Sequence, residues 1–288
     1  MKKWLLIAGA IAIAGVVYFL IPSKRALSSS VIGIRTMSPV ARCFKDTARW
    51  DAWWPRAAGY AFSISRLSYG DAQVTVRWDG GHHMDGHLRI APLNGDSVLI
   101  NWEGDVPRRE AEEGKRAVDT ILRAFKGYVE DAKRLYGVDF FRTMSQDSVL
   151  AAIIYLSPVY PDVREVYQKI DSLRQYIASR GAREMNVPML NVTQLGTGRY
   201  RVTVAISVNR SLPAKGTIVP NRFVPWKMVE GKVHGGVSTV ERAFKEMWNF
   251  KADYNLQIMA MPFQSLITDR RQEPDTTKWV TMVCAPIS

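Results

Sequence analysis

The 288-residue sequence predicts an α+β protein: an apolar helix, an antiparallel sheet closed by a long helix, and a duplicated βαββ unit. Three observations carry this reading. Trp4 to Ile21 is a run without a charge. Between residues 31 and 136, short apolar–polar alternations broken at Gly, Asp and Asn lead into one long amphipathic stretch. From Ser148 a strand–helix–strand–strand pattern occurs twice.

Size and composition support two cores. The chain has room for two ordinary domains, and 47 % hydrophobic with 10 % aromatic residues is globular composition. The formal charge of +12 suits an anionic surface. The basic residues are scattered, however, and no helix-turn-helix, zinc-finger or P-loop pattern is present, so nucleic acid is not an expected partner. The two cysteines, Cys43 and Cys284, lie far apart and form no redox or metal motif.

The first element is WLLIAGAIAIAGVVYFLI, flanked by Lys2-Lys3 and by Lys24-Arg25. At ~1.5 Å per residue it approaches the thickness of a hydrocarbon core. It is longer than a signal-peptide core, and no small-x-small site follows directly. Residues 1–25 are therefore expected to be one N-terminal transmembrane helix. That makes the chain a single-pass inner-membrane protein, with its soluble domains on the periplasmic side and the membrane as a partner.

A polar link, Ala26 to Ser30, precedes a short β-branched strand, Val31 to Thr36. Ser38-Pro39 signals a helix start. Strands are expected at Ala61–Leu67, Ala72–Trp78, His87–Ala91 and Ser97–Glu103. Gly114 to Tyr136 carries Ala117, Val118, Ile121, Leu122, Phe125, Val129, Ala132 and Leu135 on one helical face. Three of the four histidines lie in GGHHMDGH, where His83, Asp85 and His87 would share a strand face. Two imidazoles and a carboxylate can hold a metal, but a solvated hairpin tip is the better reading, and neither metal nor cofactor is expected.

SPVARCFKDTARWDAWWP, with its flanking strand and terminal helix, resembles the first-helix signature of the START-like superfamily, also called SRPBCC or polyketide cyclase. The resemblance covers residues 31–137. It implies a helix-grip fold, an antiparallel sheet wrapped on a long C-terminal helix, with Trp50, Trp53 and Trp54 plugging one end. Those three and Trp102 become candidate ligand contacts.

The second half reads VLAAIIYL, a helix from Asp162 to Arg180, NVPMLNVT and RYRVTVAISV. It then repeats as WKMVEGKV, a helix from Ser238 to Phe250, AMPFQSLIT and KWVTMVCAPI. Pro188 and Pro262 hold matching places, 74 residues apart. Two such half-domains bury each other's open faces. VHGG followed by VSTVERAFKEMW, with the terminal Cys284-Ala285-Pro286-Ile287, resembles the GyrI-like domain, the effector-binding half of many regulators. That covers residues 148–288 and implies a pocket between the two pseudo-symmetric units, with Trp226, Phe263, Gln264 and Trp279 as candidate lining. Members that bind cations or hydrolyse small molecules use a glutamate where this chain has Gln264 and Met282. Neither residue holds a desolvated cation or takes a proton.

The expected function is binding of a hydrophobic or amphipathic small molecule without catalysis, since no catalytic constellation stands out. The alternatives are a small-molecule hydrolase or cyclase using one pocket, and a signalling module that passes a ligand state to a partner.

Overall fold

A computed structural model describes residues 24–288. The chain divides after Asp131 into two compact units, each with its own sheet.

In the first unit, β1 (Lys24–Gly33), α1 (Met37–Lys45), β2 (Ala61–Leu67), β3 (Asp71–Trp78), β4 (His82–Asn94), β5 (Ser97–Pro107) and α2 (Ala111–Glu130) follow in order. The five strands form an antiparallel sheet, β1-β5-β4-β3-β2. The apolar stripe of α2 (Val118, Ile121, Leu122, Phe125, Val129) is fully buried, and the helix packs against β1 and β5. The expected link Ala26–Ser30 is part of β1. The strand pairs with β5 from Lys24↔Pro107 to Gly33↔Val98, its serines Ser28–Ser30 opposite Glu103, Trp102 and Asn101, and Ser29 Oγ donates to Asp119 Oδ1 at 2.8 Å. A partner strand supplies the pairing that local composition does not announce. At α1 the N-cap is Thr36, not Ser38.

The localisation expectation is overturned. Among the described residues no helix is long and apolar enough to cross a membrane. The longest, α2, carries Glu112, Glu113, Lys115, Arg116, Asp119, Arg123, Lys126 and Glu130 along its length. Lys24 and Arg25, taken as a membrane flank, are the first residues of a paired strand. The run from Trp4 to Ile21 lies outside the described residues.

The second unit holds α3 (Ala132–Tyr136), β6 (Phe140–Met144), β7 (Ser148–Ser157), α4 (Val163–Ser179), β8 (Met189–Gln194), β9 (Tyr200–Val208) and β10 (Ile218–Phe223). It continues with β11 (Lys227–His234), α5 (Val237–Asp253), β12 (Phe263–Leu266) and β13 (Val280–Ile287). The helix expected over Gly114–Tyr136 is broken at Asp131, which is extended. Tyr136 accordingly packs edge-on to Phe250 of α5 and donates to Asp253 Oδ2 at 2.8 Å. The stretch between the two resemblances, residues 138–147, carries β6.

The eight strands run β10-β7-β9-β8-β12-β13-β11-β6, a palindrome about the β8–β12 junction. The helix ends repeat too. Gly181 and Asn255 both have positive φ, and the next residues, Ala182 and Leu256, donate to Ile177 and Lys251 carbonyls. These are paired C-terminal caps, with the same spacing as Pro188 and Pro262. Strands β6 and β10 lie outside the sequence repeat and close the two edges. Pro220 is tolerated in β10 because an edge strand has one unpaired row.

One face of this sheet is covered by helices. Ala151, Ile153, Leu190, Val202, Val204 and Ile206 pack with Val166, Ile170, Leu173 and Ile177 of α4. The alternate residues of the same strands point to the other face.

Candidate functional site

That other face carries a cavity of about 270 Å³. Direct register places its floor: Val219 opposite Ala152, Ala152 opposite Ala205, Ala205 opposite Met189. Ile154, Thr203 and Asn191 continue the row one pleat further on. Phe223 and Phe263 meet edge to face at 5.7 Å, and Trp226, Ala260 and Met261 complete the wall. Small side chains on the central strands and large ones on the flanks make the hollow, because the pleat alternates residues between faces.

Among the described residues, two polar groups on this face lack partners. Thr203 Oγ1, in the cavity lining, and Ser207 Oγ, on the same side of β9, are buried with no hydrogen bond. An orphaned buried hydroxyl costs about 1–3 kcal/mol. Asn191 is already engaged: its Nδ2 donates to Pro262 O at 2.7 Å, and its Oδ1 accepts from Thr193 Oγ1 at 2.9 Å. At the rim Arg222 pairs with Asp147.

Toward β11 the same face holds Cys284, opposite Phe263, and Glu230, opposite Cys284. Burial pushes the Cys284 thiol up to about 12, with the Glu230 charge adding to the rise. It stays protonated at neutral pH and is a poor nucleophile. Burial also raises the Glu230 carboxyl, partly offset by a hydrogen bond with Thr143.

Of the expected contacts, Trp226 and Phe263 line this cavity. Gln264 does not. It pairs directly with Leu190, so it faces the helix-covered side, and its Oε1 accepts from Arg270 Nη2 at 3.0 Å. The same nitrogen donates to Thr281 Oγ1 at 3.0 Å, and the guanidinium lies 4.9 Å from the Trp279 ring centre. Arg270 is 8 % exposed, and no carboxylate among the described residues pairs with it. Burial accordingly lowers its pKa. Trp279 donates from Nε1 to Glu273 O at 2.8 Å. The loop bearing Arg270 is pinned to α4: Tyr167 OH donates to Thr268 O and accepts from Arg270 N. The chain thus places its own cation beside Gln264.

Trp50, Trp53, Trp54 and Trp102 are core. Trp50 lies 5.0 Å from Trp53, stacks on Trp54 at 6.0 Å, and meets Phe44 and Phe62 at 5.4 and 5.5 Å. Its indole donates to Phe44 O, and that of Trp54 to Tyr60 O. Trp102 is fully buried against Gly86 and Gly104. In the histidine-rich hairpin, His87 Nδ1 pairs with Asp71 at 3.2 Å, and His83 and Asp85 are exposed.

Sequence reasoning missed Thr203, Phe223 and the Arg270 cluster. The alternation in RYRVTVAISV, with Thr203, Ala205 and Ser207 on one face, was the available signal.

No family model matches the chain, and no curated protein matches it. Solved structures do. The EcmrR C-terminal domain is 13 % identical with a TM-score of 0.46, over 52 % of this chain and 98 % of that one. A hydrolase from Listeria innocua is 13 % identical with a TM-score of 0.40, over 52 % and 92 %. The Zhui aromatase/cyclase from Streptomyces sp. R1128 is 15 % identical with a TM-score of 0.29, over 39 % and 96 %. At these TM-scores the architecture rests on the strand order and register given above.

Proposed function

We propose that the second unit binds a hydrophobic or amphipathic small molecule on the helix-free face of its sheet, without chemistry on it. The observation that carries this is an apolar cavity whose lining contains the unpartnered Thr203 hydroxyl. An apolar hollow with one or two placed polar groups is the ordinary composition of a ligand site. The resemblance of VHGG-VSTVERAFKEMW to GyrI-like domains supports the same reading. A cavity lining with no Asp, Glu, His or Cys among the described residues, beside a Cys284 thiol that burial keeps protonated, favours binding over hydrolysis. Nucleic acid is not part of the proposal, since an apolar lining offers nothing to a phosphate backbone.

Native mass spectrometry of the full chain, together with titration of the neutral fluorophore N-phenyl-1-naphthylamine, tests the proposal. Saturable one-to-one binding that quenches Trp226 and weakens on Thr203→Val or Ala152→Phe is expected. Binding unchanged by both substitutions would place the ligand elsewhere.

A further inference from the structure

A second cleft lies within the first unit and is chemically unlike the apolar cavity. Its volume is about 300 Å³, lined by Tyr60, Trp78, Asp79, His82, Glu113 and Arg116. Two left-handed glycines shape it. Gly59, with φ 83°, turns beneath Asp79, and Gly80, with φ 82°, leaves room for the His82 ring, which a Cβ there would meet at 3.0 Å.

The histidine is held from behind. His82 Nδ1 lies 3.2 Å from Glu110 Oε2, and Glu110 is 6 % exposed at the start of α2. Arg109 Nε donates to its other oxygen at 3.2 Å. A carboxylate facing Nδ1 orients the ring and favours a proton on that nitrogen, turning Nε2 away from Glu110. The imidazole stacks on Trp78, with centres 6.2 Å apart and planes 22° from parallel. Trp78 is half-buried, and its indole N–H is buried without an acceptor among the described residues.

The cleft therefore offers an aromatic ring at Trp78, the imidazole of His82 and carboxylate acceptors at Asp79 and Glu113, with Arg116 3.9 Å from Glu113. A cationic ligand would meet Arg116 as a like charge, and an anion would meet two carboxylates. A neutral molecule rich in hydroxyls conflicts with neither. Its hydroxyl hydrogens can go to the carboxylates and its C–H face to the indole.

We propose that this cleft binds a small polyhydroxylated compound of the monosaccharide type. The test is saturation-transfer NMR on the full chain with D-glucose, D-galactose and D-mannose. Trp78→Ala, which removes the aromatic ring, and Asp79→Asn, on an exposed turn, are compared with wild type. At least one sugar should bind, and Asp79→Asn should weaken it about tenfold, the value of one hydrogen bond to a charged group. No transfer from any of the three sugars would overturn the proposal. Transfer that survives both substitutions would also overturn it, as would binding of n-butylamine in place of sugar.

Discussion

Replacing Ala205 with Leu tests whether the apolar hollow is a cavity or a tightly packed core, because the two cases give opposite signs. Ala205 is 6 % exposed on β9, and its methyl points between Ala152 and Met189. Leucine adds three carbons, which is little against about 270 Å³ of free volume. Each newly buried methylene contributes about 0.8 kcal/mol, so a well-placed isobutyl group stabilises by about 2 kcal/mol. In a filled core the same atoms would force neighbours off their rotamers and cost about 1–3 kcal/mol. For a unit of this size, 2 kcal/mol corresponds to roughly 4–8 °C in Tm. Differential scanning calorimetry, with the two units' transitions assigned separately, reads the sign, and titration with N-phenyl-1-naphthylamine reads occupancy. A higher Tm with lost binding is the expected pair of results. A lower Tm with binding retained would refute both the hollow and its role.

Three further expectations follow from particular contacts. Gln264→Glu puts a carboxylate about 3 Å from a guanidinium that has no acid partner among the described residues, so it should form an internal ion pair rather than a site for external cations. A gain of about 1 kcal/mol is expected, the difference between a charged and a neutral hydrogen bond after desolvation. The new acid's folded pKa is depressed, so the gain should be present above its unfolded value of about 4.3 and vanish as pH falls through the lower folded one. Urea melts at pH 7 and pH 3 check it, and dye cations binding to the variant would contradict it. Gly86→Ala would set a Cβ 2.5 Å from the Trp102 ring and 2.8 Å from Glu103 O. Because one neighbour is backbone, a loss above about 2 kcal/mol in thermal melts of the first unit is expected. Cutting the chain after Asp131 should leave both fragments cooperative, whereas a cut after Ser145 strips β6 from β11 and should lower the Tm of the second fragment.

The sequence by itself determined what is periodic and local. The three-four steps from Ala117 to Val129 make a buried stripe on any helix, and the equal spacing of Pro188 and Pro262 marks two copies of one βαββ unit. Three tryptophans beside a proline had to find a core. Tertiary structure decided what depends on partners far along the chain. Ser28 to Ser30 became strand because β5 pairs with them, and Asp131 became a break because Leu135 and Tyr136 belong to the other unit's core. Phe263 and Gln264 are adjacent in sequence, yet the pleat sends one to the cavity and the other to Arg270. Arg270 is only six residues from Gln264, but the distant Tyr167 pins the loop that sets it there, and nothing local to His82 announces the Glu110 carboxylate behind it. Side-chain period follows from the backbone geometry of one segment, whereas the partner of a buried charge is set only when distant segments close on each other.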